Sequence, residues 1–300
     1  LAPTKVFATG SDFTATPDAT NSAAKSYFQY QLKPNATQKL TLTLDNMADH
    51  ARKFHLQFLS AGVSSNGQLM YTPGARLIKD SGPSLLSMIQ QPQTSVTVPA
   101  NSQTNVSTTL HVPNTNWAGE RLGSWYVRVA GEKSSAAIQN RFAMAIPVQL
   151  TVDHTLTQKP KLTLGQPKLD QTQVIADLTN HTPRLFGHIT QTTQLLGPDH
   201  KTLAKQVLND AQMAPSAIMA LQLPVKKALT PGTYTLDVKL TSGSQHYHLT
   251  RKFTIAAGQI QRPTKQPATA AIAWWVYALI GLVIIMLAII IWLLKTRKKS

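Results

Sequence analysis

The chain has 300 residues, no cysteine, and a formal charge of +16 from 29 Lys and Arg against 13 Asp and Glu. The missing thiols exclude disulfides, thiolate-bound metals and cysteine catalysis, and the only two glutamates, Glu120 and Glu132, leave little material for paired-carboxylate hydrolysis. Its length allows about two domains, each able to bury its own core.

The opening Leu1-Ala2-Pro3 lacks an initiator Met and a cationic-then-apolar leader, so a removed signal peptide is expected. The first domain, expected over 1–154, reads as short strands split by turn residues: 13–16, then 26–32. Leu40, Leu42 and Leu44 alternate with Thr41 and Thr43, the pattern of a half-buried strand. Phe54, Leu56 and Phe58 repeat it, and the two runs are expected to pair around a 45–52 connection. Residues 72–93 form a long excursion punctuated by Pro and Gly, with a helical turn expected at 84–90, and loops of that length often carry function. Further strands are expected at 95–99, 104–112, 125–129 and 141–152; Trp125, Val127 and Val129 point inward, and Tyr126 and Arg128 outward. That number of strands at that spacing predicts a β-sandwich.

A polar, proline-bearing linker at 155–160 leads to a second β-rich domain at 161–256, with candidate strands at 161–169, 174–179, 188–195, 201–208, 218–223, 233–240 and 247–255. Pro231-Gly232 before the alternation of Tyr234, Leu236, Val238 and Leu240, closed by a hairpin at 242–244, suits an immunoglobulin-like sandwich. The fold class is therefore mainly β: two immunoglobulin-like sandwiches, a stalk at 257–269 and one C-terminal transmembrane helix.

That helix, placed at 270–294, centres on Trp274 to Leu294, which holds no charge and no proline. At about 1.5 Å per residue these positions span roughly 32 Å, enough to cross a bilayer core once. Trp274, Trp275 and Tyr277 at one end and Trp292 at the other mark the two membrane interfaces. Lys295, Arg297, Lys298 and Lys299 in the tail at 295–300 put that end in the cytoplasm and the rest outside, with membrane lipid an expected partner. The basic exterior suits a negatively charged wall or membrane face, with attraction that salt weakens, and an exterior position argues against nucleic acid.

Catalytic and metal motifs are sparse. Asp45 and Asp49 sit at a turn where Asp caps backbone, and His246 and His248 lie two apart on a polar strand face with no carboxylate nearby in sequence. We expect no enzyme activity, no cofactor and no metal. The best binding candidate is the stretch 117–126. There Trp117 and Tyr126 offer rings that stack on sugar faces, and Arg121 offers a fork for a carboxylate, as in a peptidoglycan-like polymer. Trp117 serves equally well as core.

The segments 12–17, 27–42, 66–71, 96–102 and 113–123, in that order, resemble the first domain of the WxL-interacting proteins of Gram-positive bacteria, and 160–256 with the C-terminal helix and basic tail resembles the remainder. The resemblance implies a non-catalytic cell-surface scaffold whose first domain binds peptidoglycan. It also implies association with WxL-domain surface proteins and contact of the second domain with host matrix proteins. A chaperone-like carrier for exported subunits and a wall-modifying hydrolase are the competing readings.

Overall fold

The computed structural model describes residues 12–20, 22–130, 142–152 and 159–256. Leu40, Leu42 and Leu44 are fully buried along one face of β3 (Thr37–Asn46), and the threonines between them face outward, as the alternation requires. β3 lies between β1 (Phe13–Pro17) and β8 (Ser102–His111), antiparallel to both. A second sheet runs β2 (Phe28–Leu32), β10 (Ala143–Val152), β9 (Gly119–Val129), β4 (Arg52–Ser60), β7 (Gln93–Val98), and in it only the β2–β10 pair is parallel. The two sheets close on one core, where Trp125 stacks on Phe58 at 4.8 Å between ring centres and Phe13 tilts against Phe54. A short hairpin, β5 (Gly62–Val63) with β6 (Leu69–Met70), and one 3-10 turn at Leu86–Met88 complete this module.

The second module repeats the plan. β11 (Leu162–Leu164) and β12 (Lys168–Asp170) both pair with β13 (Gln173–Asn180), which also pairs with β16 (Ile218–Pro224). Facing them is the sheet β15 (Thr202–Met213), β14 (Phe186–Leu196), β17 (Gly232–Ser242), β18 (Gln245–Ile255). Val174, Leu178, Leu195, Met219, Leu236, Val238 and Leu240 fill the space between. At the start of β17 the buried Tyr234 turns its hydroxyl back to Thr230, donating to the carbonyl at 2.7 Å and accepting from the amide at 3.1 Å. This is the tyrosine-corner arrangement of Greek-key sandwiches.

Three expectations change. β3 and β4 do not form a hairpin: they lie in different sheets, and the 47–51 connection crosses the core edge. The cause is Asn46, fully buried, whose side-chain amide donates to the carbonyls of His50 (2.9 Å), Val98 (3.1 Å) and Pro99 (2.9 Å) while its oxygen takes the Ala48 amide. Asn180, at the end of β13, does the same in the second module, donating to Arg184 and Ala214 and accepting from Thr182. Second, the strand expected over 161–169 breaks into β11 and β12 around Gly165 and Pro167, where Gly165 donates to the Asp177 carbonyl at 2.7 Å. Third, the strand expected at 125–129 begins six residues earlier, at Gly119. Among the described residues no helix is long and apolar enough to cross a membrane, and the span expected at 270–294 lies outside them, as do the stalk and most of the linker.

Candidate functional site

The long excursion between β4 and β7 leaves its own module and seats on the second. Val63 is part of the second module's core, with Leu69 and Leu77 packed against it. At the tip of the β5–β6 hairpin, Gly67 adopts φ +77°, and a side-chain carbon there would stand 2.7 Å from Ala211 Cβ; the Gln212 amide donates to the Gly67 carbonyl at 2.7 Å. Arg76 then makes a bidentate pair with Asp177, at 2.7 and 2.6 Å. Leu77 bridges Ala217, flanked by Ile78 N–H to Ser216 O at 2.9 Å and Ile218 N–H to Arg76 O at 2.8 Å. The excursion thus adds a short antiparallel ladder just ahead of β16. The Arg76 guanidinium holds the Asp177 carboxyl below the usual range, chiefly through their hydrogen bonds.

The start of β9 makes the second attachment. Glu120 donates its amide to the Pro183 carbonyl at 2.7 Å, and its carboxylate accepts the Leu185 amide at 2.6 Å. This carboxylate is therefore engaged as a structural acceptor, which answers why one of two glutamates sits here.

Beside it lies the sequence's binding candidate. The Arg121 guanidinium is centred 4.2 Å over the Trp117 ring, and all three of its nitrogens donate to main-chain carbonyls: Nε to Pro83 (2.7 Å), Nη1 to Glu120 (3.1 Å) and Nη2 to Ser81 (2.5 Å). The residue is 7% exposed, and burial pulls its pKa down to about 10, which leaves it charged at neutral pH. These donors hold the 81–83 turn and are directed inward, away from an external carboxylate. Trp117 is half-buried on the first core, and its indole N–H finds no hydrogen-bond partner among the described residues. Tyr126 sits elsewhere: it is half-buried on the outer face of the five-stranded sheet, across from Gln57 and Ala145. The structure brings Trp117 and Arg121 together and does not bring Tyr126 to them.

Arg121, Ser81, Gly82, Leu85, Leu122 and Ser216 line a cavity of about 170 Å³ where the two modules meet. Ser216, 3% exposed and at φ +51°, leaves its hydroxyl without a partner among the described residues. Nothing in the sequence around Ser216 signalled this. The chemistry on offer is recognition: an apolar floor, one free hydroxyl and backbone carbonyls. Elsewhere, His248 Nε2 lies 2.5 Å from Asp237 Oδ2, and no group of three metal-ligating side chains occurs among the described residues.

Two family profiles match the chain. The one described as WxL Interacting Protein, peptidoglycan binding domain, covers residues 13–129, and the one described as WxL Interacting Protein, host binding domain, covers 133–265. The chain belongs to the WxL-interacting protein family. The second profile starts ahead of β10, yet β10 is an inner strand of the first module, paired with β9 and β2. In this member of the family the boundary between sandwiches therefore lies after Val152, later than the boundary between profiles. No curated protein matches the chain. Among solved structures it is similar to the chaperone–tip adhesin complex of CFA/I fimbriae biogenesis (8% identity, 82% of this chain and 100% of that one, TM-score 0.33). It is similar also to the E. coli chaperone DraB (13% identity, 81% and 98%, TM-score 0.27). A likeness at this level carries no inference about this chain.

Proposed function

We propose that this chain is a non-catalytic, membrane-anchored surface scaffold whose first sandwich contacts peptidoglycan and whose second, immunoglobulin-like sandwich offers a protein-binding surface to WxL-domain or host matrix proteins. The observation that carries the reading is the pair of family profiles in this order along a strongly basic chain. The docked excursion supports it, because a ladder and a bidentate ion pair hold the two modules at a fixed spacing, as a scaffold with separate wall and partner surfaces requires. A single span over 270–294, with its basic tail in the cytoplasm, restricts the protein to a shell above the membrane and raises its effective concentration for wall polymer.

Within this reading the wall-contacting residues are Trp117 and Tyr126, with Arg121 acting through the turn it holds. Sedimentation of the full chain in detergent with insoluble peptidoglycan tests the assignment. Trp117→Ala or Tyr126→Ala should lower retention severalfold at about 0.15 M salt, while Arg121→Lys, which keeps the charge but loses the three-carbonyl fork, should lower it as far as Trp117→Ala does. Retention unchanged in all three variants counts against these residues as the wall contact.

A further inference from the structure

The second module's four-stranded sheet ends on β15, an edge that pairs with no further strand among the described residues. Among the described residues the backbone of 203–209 is bonded only to β14, so in an antiparallel ladder every second residue of that stretch turns its N–H and C=O outward with nothing to meet them. The opposite edge is covered: Arg251 on β18 donates to the Leu164 carbonyl, and Gln166 donates to that of Lys252. β8 is covered by Gln90, whose amide donates to Thr109. β1, β7 and the part of β16 after Ile218 also lack a further ladder among the described residues, but their exposed positions are Thr16, then Gln93, Ser95 and Thr97, then Pro224.

Within the 203–209 stretch of β15 the exposed positions are Leu203, Lys205, Val207 and Asn209, with Thr202 and Asp210 exposed at its ends, the latter paired with His188. Leu203 is 44% and Val207 46% exposed, which places on one open strand two of the four large apolar side chains exposed among the described residues. From Ala204 to Leu208 the strand pairs residue for residue with Leu195 back to Gln191, with irregularities only at the ends of that run. Five residues of flat edge, roughly 16 Å, suffice for a short added strand.

Lys205, exposed between the two apolar residues, has no ion-pair partner among the described residues. Its charge selects the occupant. A second copy of this chain paired antiparallel so that Leu203 meets Val207 sets Lys205 against its own counterpart, and like charges directly opposite are unfavourable. An incoming strand with a carboxylate at that position turns the repulsion into a cross-strand pair.

We propose that β15 is a docking edge for an extended segment of a partner protein in which an Asp or Glu is flanked, at alternate positions, by aliphatic side chains. Main-chain hydrogen bonds supply the attachment; Leu203 and Val207 supply apolar contact and Lys205 the selectivity. The inference goes beyond wall binding and stands whether or not the first module holds peptidoglycan.

The test titrates the full chain, in detergent at about 0.15 M salt, into the labelled peptide Thr-Val-Thr-Glu-Thr-Val-Thr or its Lys-centred counterpart, and reads fluorescence anisotropy. The expected result is binding of the Glu peptide about tenfold tighter than the Lys peptide, with the order reversed by Lys205→Glu and both affinities lowered by Val207→Lys. Hydrogen exchange should show new protection confined to 203–209 in the complex. Equal affinities, no binding up to about 1 mM, or protection elsewhere overturns the proposal. So does a chain that dimerises through β15 and becomes monomeric on Val207→Lys, which would make the occupant a second copy.

Discussion

Asn46 and Asn180 show how single side chains fix the path of this chain. Each ends a strand at zero exposure, and each amide satisfies backbone carbonyls both four residues later and at a distant segment. Replacing Asn180 with Ala strands the carbonyls of Arg184 and Ala214 and the amide of Thr182. The cost should be about 2–4 kcal/mol, seen as a lower urea midpoint with an unchanged slope; a loss under about 0.5 kcal/mol contradicts the anchor role. Neither Asn was legible as an anchor, because its partners lie 52 and 34 residues away and carbonyls carry no sequence signature. Arg121 was legible as a special residue, by its place between Trp117 and Trp125, but its inward direction was not, since the turn that accepts its protons comes from some forty residues upstream.

At the scale of elements, period-two alternation located nearly every long strand, and it failed where pairing is decided by crossings. Alternation says which face of β3 and β4 is buried, but it is equally satisfied by a hairpin or by strands in opposite sheets. In the docking segment the sequence signalled only a turn feeding a short strand at 66–71 and a long loop at 72–93, so its seating on the second module could not be read. Gly119 stands at φ +156° with the Trp117 ring and Pro183 at 2.7 and 2.8 Å from any added Cβ, so Gly119→Ala should loosen the attachment, costing about 1–3 kcal/mol and raising hydrogen exchange at Leu185 and Glu120. No change at those amides contradicts it. The Arg76–Asp177 pair gives a pH dependence. Because the folded carboxyl titrates lower than an unfolded one, its contribution is full above the ordinary Asp pKa near about 4 and disappears as pH falls through the lowered folded value. Both side chains are nearly half exposed, so screening keeps the effect small. Protection factors at Ile78 and Ile218 should fall about two- to fivefold below that range and stay flat from pH 6 to 8, and Asp177→Asn should remove the dependence.

Among the described residues the molecule is two sandwiches joined at three places: the Gly67 tip on Ala211, the Arg76–Ile218 ladder and Glu120 under Pro183 and Leu185. The order of short strand patterns along the chain was enough to point to its family, since each pattern alone is loose but their succession is not. The fixed relation of the two sandwiches was not readable, because it depends on contacts between segments 65 to more than a hundred residues apart in sequence. Wall recognition of the kind proposed goes beyond the attraction of a basic chain for an anionic polymer. The direct measurement is co-sedimentation of the full chain with insoluble peptidoglycan across a salt series, beside an unrelated protein of the same net charge. Retention well above that control at about 0.15 M salt, lost on Trp117→Ala, is the result predicted. Retention equal to the control at every salt concentration, vanishing as salt rises, would contradict it.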